Sequence, residues 1–234
     1  GMNNNLKKLA TGVQWLTSQT GLACTNVWEA GGLINSNEGV SHPNIQYHFG
    51  PVGFEVINKS IRVKQGFVLH VDQLRPKSRG HLKLNRNNIF GKPELFFNYM
   101  TESIDIKEMS EGIEKARDIV RQKSFDEFRG DEITGEVEGI DKNNMHELIK
   151  GLTETDYHPC GTCKMDNSND GVVNEKLQVH GVENLRVIDG SIIPKIISAN
   201  LNAPIQMIAH RAAHYILDEP QFDPIKAQFS FKKS

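Results

Sequence analysis

Apolar residues recur every three or four positions in three parts of the chain, the spacing of one face of an α-helix. The first part covers residues 4–20, the second starts at Ser103, and the third starts at Asn202; we predict the latter two residues as N-caps. The apolar positions are Leu6, Leu9, Val13 and Leu16; Ile106, Met109, Ile113, Ala116 and Val120; and Ile205, Ile208, Ala212 and Ile216. A shorter helix is predicted over 142–152.

Short β-rich or alternating segments follow one another between residues 44 and 88, separated by Gly, Pro or Ser. They are IQYHF (45–49), VINKSIRV (56–63), FVLHV (67–71) and HLKLN (81–85). Glycines 31 and 32 predict a turn before them, RPKSRG (75–80) predicts another between the last two, and LRVID (185–189) predicts an isolated later strand. Strands in the first half with helices around them predict an α+β fold, an antiparallel sheet with flanking helices.

Composition excludes several classes of protein. The 234 residues are 38% hydrophobic, and 27 basic against 29 acidic residues give a net charge of −2. This balance, without a basic cluster, argues against nucleic acid as a partner. No apolar run approaches the roughly 20 residues of a transmembrane segment, and residues 1–10 lack the apolar core of a secretory signal. Three cysteines, an odd number, favour a reducing compartment, and we predict a cytoplasmic location.

The segment DYHPCGTCKM (156–165) contains His158, Cys160 and Cys163 at a spacing that several chemistries could use. A zinc-dependent hydrolase or deaminase has a Pro-Cys-x-x-Cys element, but its His-x-Glu partner is missing from this chain. A redox dithiol normally lies between a strand and a helix, whereas a turn-like sequence follows here. Both cysteines could also be small buried residues that only pack. Packing of the cysteines would leave the role of His158 unexplained.

The longer run from 157 to 217 resembles the C-terminal signature of the glucose-methanol-choline (GMC) oxidoreductases, which are flavin-dependent alcohol oxidases and dehydrogenases. The resemblance rests on Tyr-His-Pro (157–159), Gly-Thr-x-x-Met (161–165), Val-His-Gly-Val (179–182), Leu-Arg-Val-Ile-Asp-Gly-Ser (185–191) and Asn-x-Asn-Ala-Pro (200–204). Upstream, TNVWEAGG (25–32), PNIQYHF (43–49) and LRPKSRGHLKL (74–84) most resemble the choline-oxidising members. No Gly-x-Gly-x-x-Gly occurs, so the family's dinucleotide-binding half is not in this chain.

The resemblance implies roles for four residues in catalysis and substrate binding. His158 matches the family histidine that faces the flavin, and an imidazole with a pKa of about 6.5 can accept a hydroxyl proton near neutral pH. Asn200 matches its polar neighbour and would orient the hydroxyl group. Glu29 and Tyr157 match an acid and an aromatic residue that would contact a quaternary ammonium alcohol such as choline.

The same resemblance implies flavin adenine dinucleotide (FAD) as cofactor. A helix N-terminus carries partial positive charge, and glycine permits close approach of the backbone. The residues that match the cofactor-binding positions are Asp189, Gly190, Asn202, Ala203 and Pro204. No metal site is predicted.

The resemblance also implies a division of the chain. We predict a substrate-binding domain over 1–150, a C-terminal segment over 151–218 that packs toward the flavin domain, and a tail over 219–234. The predicted function is the C-terminal part of an FAD-dependent alcohol dehydrogenase, inactive without an N-terminal flavin-binding half. Without that half, the apolar surface that packs on the flavin domain would be exposed. Either the flavin-binding half or a second copy of the chain would cover it. The second predicted function is a non-catalytic binding or assembly module. The third is a zinc-dependent hydrolase or deaminase.

Overall fold

The computed structural model describes residues 4–57, 60–133 and 144–225, with the backbone alone described at 54–57 and 60–64. The chain forms two compact units, Gly1–Tyr157 and His158–Ser234. No helix of the described residues is both long and apolar enough to cross a membrane.

Among the described residues of the first unit, three α-helices form: α1 at Asn5–Ser18, α2 at Ser103–Val120 and α3 at Met145–Leu152. All three helices were predicted from the sequence, α1 and α2 from their periodicity, although residues 142 and 143 of the third prediction lie outside the described part of the chain. The side chain of Asn144 caps α3 by accepting hydrogen bonds from the amides of His146 and Glu147. The predicted cap of α2 is wrong, because Glu102 occupies the cap position and Ser103 is already helical.

The apolar stripe of α1 is exposed to solvent in this structure. No residue of the helix is buried, and Leu6 and Leu16 are each 75% exposed. The stripe of α2 instead faces the interior, where Ile106 and Ala116 are buried. Periodicity therefore located both helices, but only α2 buries its stripe within the described part of the chain.

In the part of the first unit that the structure describes, seven strands form three small antiparallel sheets. They are β1 (Ala30–Ile34), β2 (Ile45–Gly50), β3 (Gly53–Ile57), β4 (Ser60–Lys64), β5 (Val68–Gln73), β6 (His81–Lys83) and β7 (Glu94–Phe96). The largest sheet has the order β1-β2-β5, and β3-β4 and β6-β7 form two separate hairpins. This mixture of helices and antiparallel sheets confirms the α+β prediction.

Two details of the strand prediction are wrong. Residues 31 and 32 do not form a turn but pair with His48 and Tyr47 inside β1. A side chain at Gly31 would lie 2.6 Å from the Tyr47 carbonyl oxygen, so glycine is used here for close strand approach. The segment 56–63 is not one strand but the end of β3 and the start of β4.

The inner face of the main sheet packs on α2. Ile45 and Tyr47 of β2 are buried with Ala116. The Tyr47 hydroxyl donates a 2.7 Å hydrogen bond to the carbonyl of Gly112, and an added Cβ at Gly112 would lie 3.1 Å from Ile45. The helix therefore approaches the sheet closely because position 112 has no side chain.

The second unit is held by loops around one helix, α4 at Asn202–Leu217. Its core consists of Val173, Leu177, Ile192, Ile193, Leu201 and Ala212. Two predictions fail here. Segment 185–189 is not a strand, because only Arg186 forms an isolated bridge, to Gln178. Leu201 rather than Asn202 occupies the cap position of α4, and Ile216 at the far end of the predicted apolar face is 58% exposed.

Candidate active site

His158 and Asn200 meet in the second unit. Nε2 of His158 lies 3.1 Å from Nδ2 of Asn200. Because an amide nitrogen can only donate, Nε2 is the acceptor in this arrangement. The histidine is half-buried and the asparagine is exposed, so the pair lies at the edge of the unit. A group that entered from outside would find one acceptor and one donor side by side.

The backbone around His158 is fixed by the turn that follows Asp189. The amide of Cys163 donates to the Ser191 carbonyl at 3.0 Å, and the amide of Met165 donates to the Ile192 carbonyl at 2.8 Å. Gly161 has φ +90°, a left-handed conformation that favours glycine. The segment 161–165 is thereby held beside the buried Ile192.

Asp189 and Gly190 lie against the same structure. An added Cβ at Gly190 would be 3.1 Å from Cδ1 of Ile205 and 3.9 Å from the carbonyl oxygen of Pro159. The Asp189 carboxylate accepts hydrogen bonds from the hydroxyl (2.5 Å) and the amide (2.8 Å) of Ser191, and these bonds hold its pKa below the usual value. The turn therefore adjoins both the residue after His158 and the first turn of α4.

The N-terminus of α4 is open. Leu201 is buried and makes no capping hydrogen bond through its side chain. The side-chain oxygen of Asn202 accepts from Gln206 at 3.1 Å, within the helix. Asn202 and Ala203 are exposed, and Pro204 is half-buried. The positive end of the helix dipole can therefore face an anionic group.

One cysteine of the 156–165 segment, Cys160, supports the packing interpretation. Cys160 is partly buried and packs against the core of the second unit. Among the residues that the structure describes, no group of three or more His, Cys, Asp or Glu side chains could hold a metal ion.

Glu29 and Tyr157 belong to the first unit. Glu29 directly precedes β1, where its amide donates to the Phe49 carbonyl at 3.0 Å and its side chain is exposed. Tyr157 has φ 58° and an 83% exposed side chain, and its amide donates to the Thr155 hydroxyl at 3.0 Å. Both side chains are thus available to a ligand.

One polar cluster escaped the sequence analysis. His48 on β2 lies directly opposite His70 on β5, and Gln46 lies opposite Asp72. Nε2 of His48 is 3.3 Å from Oδ2 of Asp72, and the ring of Trp28 lies 4.6 Å from that of His70 and 5.7 Å from that of His48. The alternation of polar and apolar residues in both strands carried this signal, because alternate residues share one face of a sheet.

The pKa values of two residues in this cluster, Asp72 and His70, are shifted from their ordinary values. Burial raises the pKa of Asp72 to about 6, the carboxylate of Asp156 adds to the rise, and His48 opposes it. Burial and the neighbouring His48 lower the pKa of His70, against the opposite effect of Asp156 and Glu154. The sheet face therefore has one carboxyl group whose pKa is raised and one imidazole whose pKa is lowered.

The sequence profile described as GMC oxidoreductase matches residues 76–209. The chain belongs to the GMC oxidoreductase family.

Curated relatives within the GMC oxidoreductases include the oxygen-dependent choline dehydrogenases of Escherichia coli K12 and Cronobacter sakazakii. Each is 40% identical over 205 residues, which is 88% of this chain and 37% of the relative. The chain thus spans little more than a third of the length of these relatives.

Solved structures of similar fold include two oxidases. A formate oxidase of Aspergillus oryzae RIB40, described with FAD modification, matches with a TM-score of 0.77 at 22% identity, over 93% of this chain and 43% of that chain. Pyridoxine 4-oxidase from Mesorbium loti matches with a TM-score of 0.67 at 22% identity, over 82% and 38%. These likenesses support the fold assignment.

Proposed function

We propose that this chain is the substrate-binding and catalytic C-terminal part of an FAD-dependent alcohol dehydrogenase that oxidises choline or a similar amino alcohol to the aldehyde. The hydrogen bond between His158 and Asn200 is the observation that supports this most directly. It provides an acceptor and a donor at the spacing that a single hydroxyl group needs.

The pair has complementary roles in this proposal. A substrate hydroxyl replaces the mutual contact, donating its proton to Nε2 of His158 and accepting from Nδ2 of Asn200. His158 then takes the proton as the carbinol carbon is oxidised, and the resulting imidazolium stabilises the developing alkoxide. Asn200 remains neutral and fixes the oxygen. This arrangement supplies the base and the orientation that alcohol oxidation requires.

The residues that would hold the cofactor fit an anionic, planar group. FAD, when bound, supplies the acceptor for the hydride that leaves the carbinol carbon. Gly190 leaves the turn after Asp189 close to Pro159 and to the first turn of α4. Asn202 and Ala203 offer the open, partly positive helix end, where negative charge is stabilised. Asp189 and Pro204 complete the set of proposed contacts.

Substrate choice rests on Glu29 and Tyr157. A carboxylate and an aromatic face are the groups that recognise a quaternary ammonium ion. Both side chains are exposed in the first unit. Relatives at 40% identity are named choline dehydrogenases, which favours choline over simple aliphatic alcohols. Activity would need an FAD-binding half as partner, since the chain has no dinucleotide-binding motif of its own.

Reconstitution tests the proposal. The chain would be co-expressed with the flavin-binding half of a choline dehydrogenase, and choline would be added while the absorbance of oxidised flavin is followed. We expect bleaching that depends on choline and is lost in His158→Ala. His180→Ala is the matched control, because His180 is an exposed histidine of the same unit that contacts the Asp166 carbonyl. A complex that holds flavin but never bleaches would favour the non-catalytic module.

A further inference from the structure

The apolar stripe of α1 has the spacing of a helix that packs along another protein surface. Its members are separated by three, four and three positions, and they are Leu6, Leu9, Val13 and Leu16. This alternation of three and four produces the narrow seam by which one helix meets a partner. Each of the four side chains is at least half exposed, and the two at the ends are 75% exposed. The seam is therefore present and uncovered in this structure.

The turn after α1 packs on the opposite side of the helix. The Ser18 and Thr20 hydroxyls lie 2.7 Å apart, and the side-chain amide of Gln14 donates to the Thr20 hydroxyl at 3.4 Å. In a helix with 3.6 residues per turn, Gln14 and Ser18 lie across from the stripe. The turn therefore stabilises the polar side of α1 and does not cover the apolar one.

The length of α1 makes the exposed stripe costly. The helix has 14 residues, and isolated helices shorter than about 12–15 residues are only marginally stable in water. Helices of this size in proteins are stabilised mainly by burying an apolar face. No residue of α1 is buried. A firmly folded α1 therefore requires a surface that covers the stripe.

The stripe is too small to hold two copies of this chain together. Four side chains of this size expose roughly 500 Å² at most, whereas each partner in a stable complex buries about 800 Å². A coiled coil needs about three or four heptads, but the seam spans only positions 6–16. Charged residues beside the seam usually orient a coiled coil, and the flanking positions here are the uncharged Ala10, Gly12 and Thr17. These small flanks instead allow close approach to a broad apolar surface.

The flavin-binding half of the enzyme is the occupant that fits these features. The chain spans 37% of the length of the choline dehydrogenases that it matches, so most of each relative lies outside the matched region. A contact of this small area is sufficient when it is one part of a larger interface between two halves of one enzyme. The chain also needs that half for flavin, because it has no dinucleotide-binding motif of its own.

We propose that the stripe of α1 is a docking surface for the flavin-binding half of the enzyme, where the helix lies in an apolar groove. The identity of this occupant rests on the function proposed above. The exposure of the stripe and its spacing are properties of this chain alone.

Hydrogen exchange with and without the partner tests the proposal. The chain would be co-expressed with the flavin-binding half of a choline dehydrogenase, and exchange of the amides from Leu9 to Ser18 would be compared between the complex and the isolated chain. We expect exchange in the complex to be slower by about 10²-fold, because α1 can then open only when the stripe leaves its groove. Unchanged exchange in a complex that does form would overturn the proposal.

Two substitutions by glutamate separate the stripe from the rest of the helix. Leu9→Glu places a charge in the stripe and should raise the dissociation constant of the complex by about 10²-fold or more. Lys7→Glu is the matched control, because position 7 lies on the same side of α1 as Gln14, and it should leave the complex intact. The isolated Leu9→Glu chain should unfold as the wild-type chain does, since Leu9 is 65% exposed. Equal effects of the two substitutions on association would overturn the proposal.

Other occupants of the stripe would give different results. Protection of α1 that rises with the concentration of the isolated chain would assign the stripe to a second copy. Protection that requires vesicles of phosphatidylglycerol and phosphatidylcholine would assign it to a lipid surface, and slow exchange in the dilute isolated chain would assign it to another part of the same chain. Each of these results would overturn the proposal. A complex with protected α1 whose flavin never bleaches with choline would support the docking and count against the proposed function alone.

Discussion

The imidazole of His158 and the carboxamide of Asn200 are 42 positions apart in the sequence and 3.1 Å apart in the structure. Neither lies in a helix or a strand. Their contact depends on two loops, one held beside Ser191 and Ile192 and the other ending at the buried Leu201. Tertiary packing of the second unit thus brings the pair together.

His158 and Asn200 should act together on one substrate hydroxyl group. In the enzyme reconstituted with a flavin-binding half, His158→Ala should lower kcat/KM by about 10²–10⁴-fold, because the base is lost. Asn200→Ala should lower it by about 10–10²-fold, because one donor to the oxygen is lost. Steady-state kinetics of both single variants and of the double variant measure the coupling between them.

We expect the double variant to lose less than the product of the two single effects, since both side chains serve one hydroxyl group. Strict additivity would contradict the shared role of the pair. His180→Ala should retain full activity in the same assay.

Asp105 should contribute strongly to the stability of the first unit. Its buried carboxylate accepts hydrogen bonds from the amides of Lys77 and Ser78, the Ser78 hydroxyl and the Gln73 side chain. Burial alone would raise its pKa, but these bonds outweigh burial and hold the pKa below the usual value. Asp105→Asn should therefore lower the free energy of unfolding at pH 7 by about 2–4 kcal/mol.

The lowered pKa of Asp105 also predicts how the stability of the chain changes with pH. A carboxylate with a lowered pKa stabilises the fold above its ordinary pKa, and that stabilisation is lost as the pH falls through the native value. The wild-type chain should lose more stability below about pH 4 than Asp105→Asn does. Urea unfolding followed by tryptophan fluorescence reports on this unit, because Trp15 and Trp28 both belong to it. Parallel pH curves for the two proteins would contradict the assignment.

Gly112 should resist substitution despite its place inside a helix. An added methyl group would lie 3.1 Å from the fully buried Ile45 and 3.2 Å from Val71. Overpacking costs about 1–3 kcal/mol, more than the gain of about 1 kcal/mol in helix propensity. Thermal unfolding should show Gly112→Ala to be less stable. Gly12→Ala in α1, where nothing lies within 4 Å, is the matched control and should be neutral or more stable.

Asp72→Asn should stabilise the chain above neutral pH. An acid whose native pKa is raised to about 6 binds its proton more tightly in the folded state, so the wild-type chain gains stability as the pH falls through 6 toward 4. Removing the charge should add about 1–2 kcal/mol at pH 8, because the group is partly hydrated. The difference between the two proteins should shrink to near zero at pH 4, as measured by chemical unfolding. A variant less stable at pH 8 would refute the assignment.

The sequence predicted the elements that depend on local pattern. The stripes Ile106 to Val120 and Leu6 to Leu16 located two helices, and Asn200 and His158 were identified from the family resemblance as partners. The roles of these two residues remain predictions, as do those of Asp189, Gly190, Glu29 and Tyr157. Strand pairing was harder to predict from the sequence. The existence of β7 and the pairing of glycines 31 and 32 depend on contacts with strands that are distant in the sequence.

Chemistry on the sheet face was missed for the same reason. His48, His70 and Asp72 are ordinary strand residues when each segment is considered alone. Their proximity follows from the register between β2 and β5, which aligns position 48 with position 70. Burial then lowers the pKa of His70 and raises that of Asp72, and burial is a property of the whole unit.

In the described part of the second unit, α4 is accompanied by turns, isolated bridges and one short 3-10 helix at Gly190–Ile192. Far-ultraviolet circular dichroism would therefore register α4 and little else of it. A variant could keep a normal spectrum while the loops that carry positions 158 and 200 had separated. Proof of correct folding at this site has to come from a probe of side-chain environment, such as the nuclear magnetic resonance signals of the His158 ring.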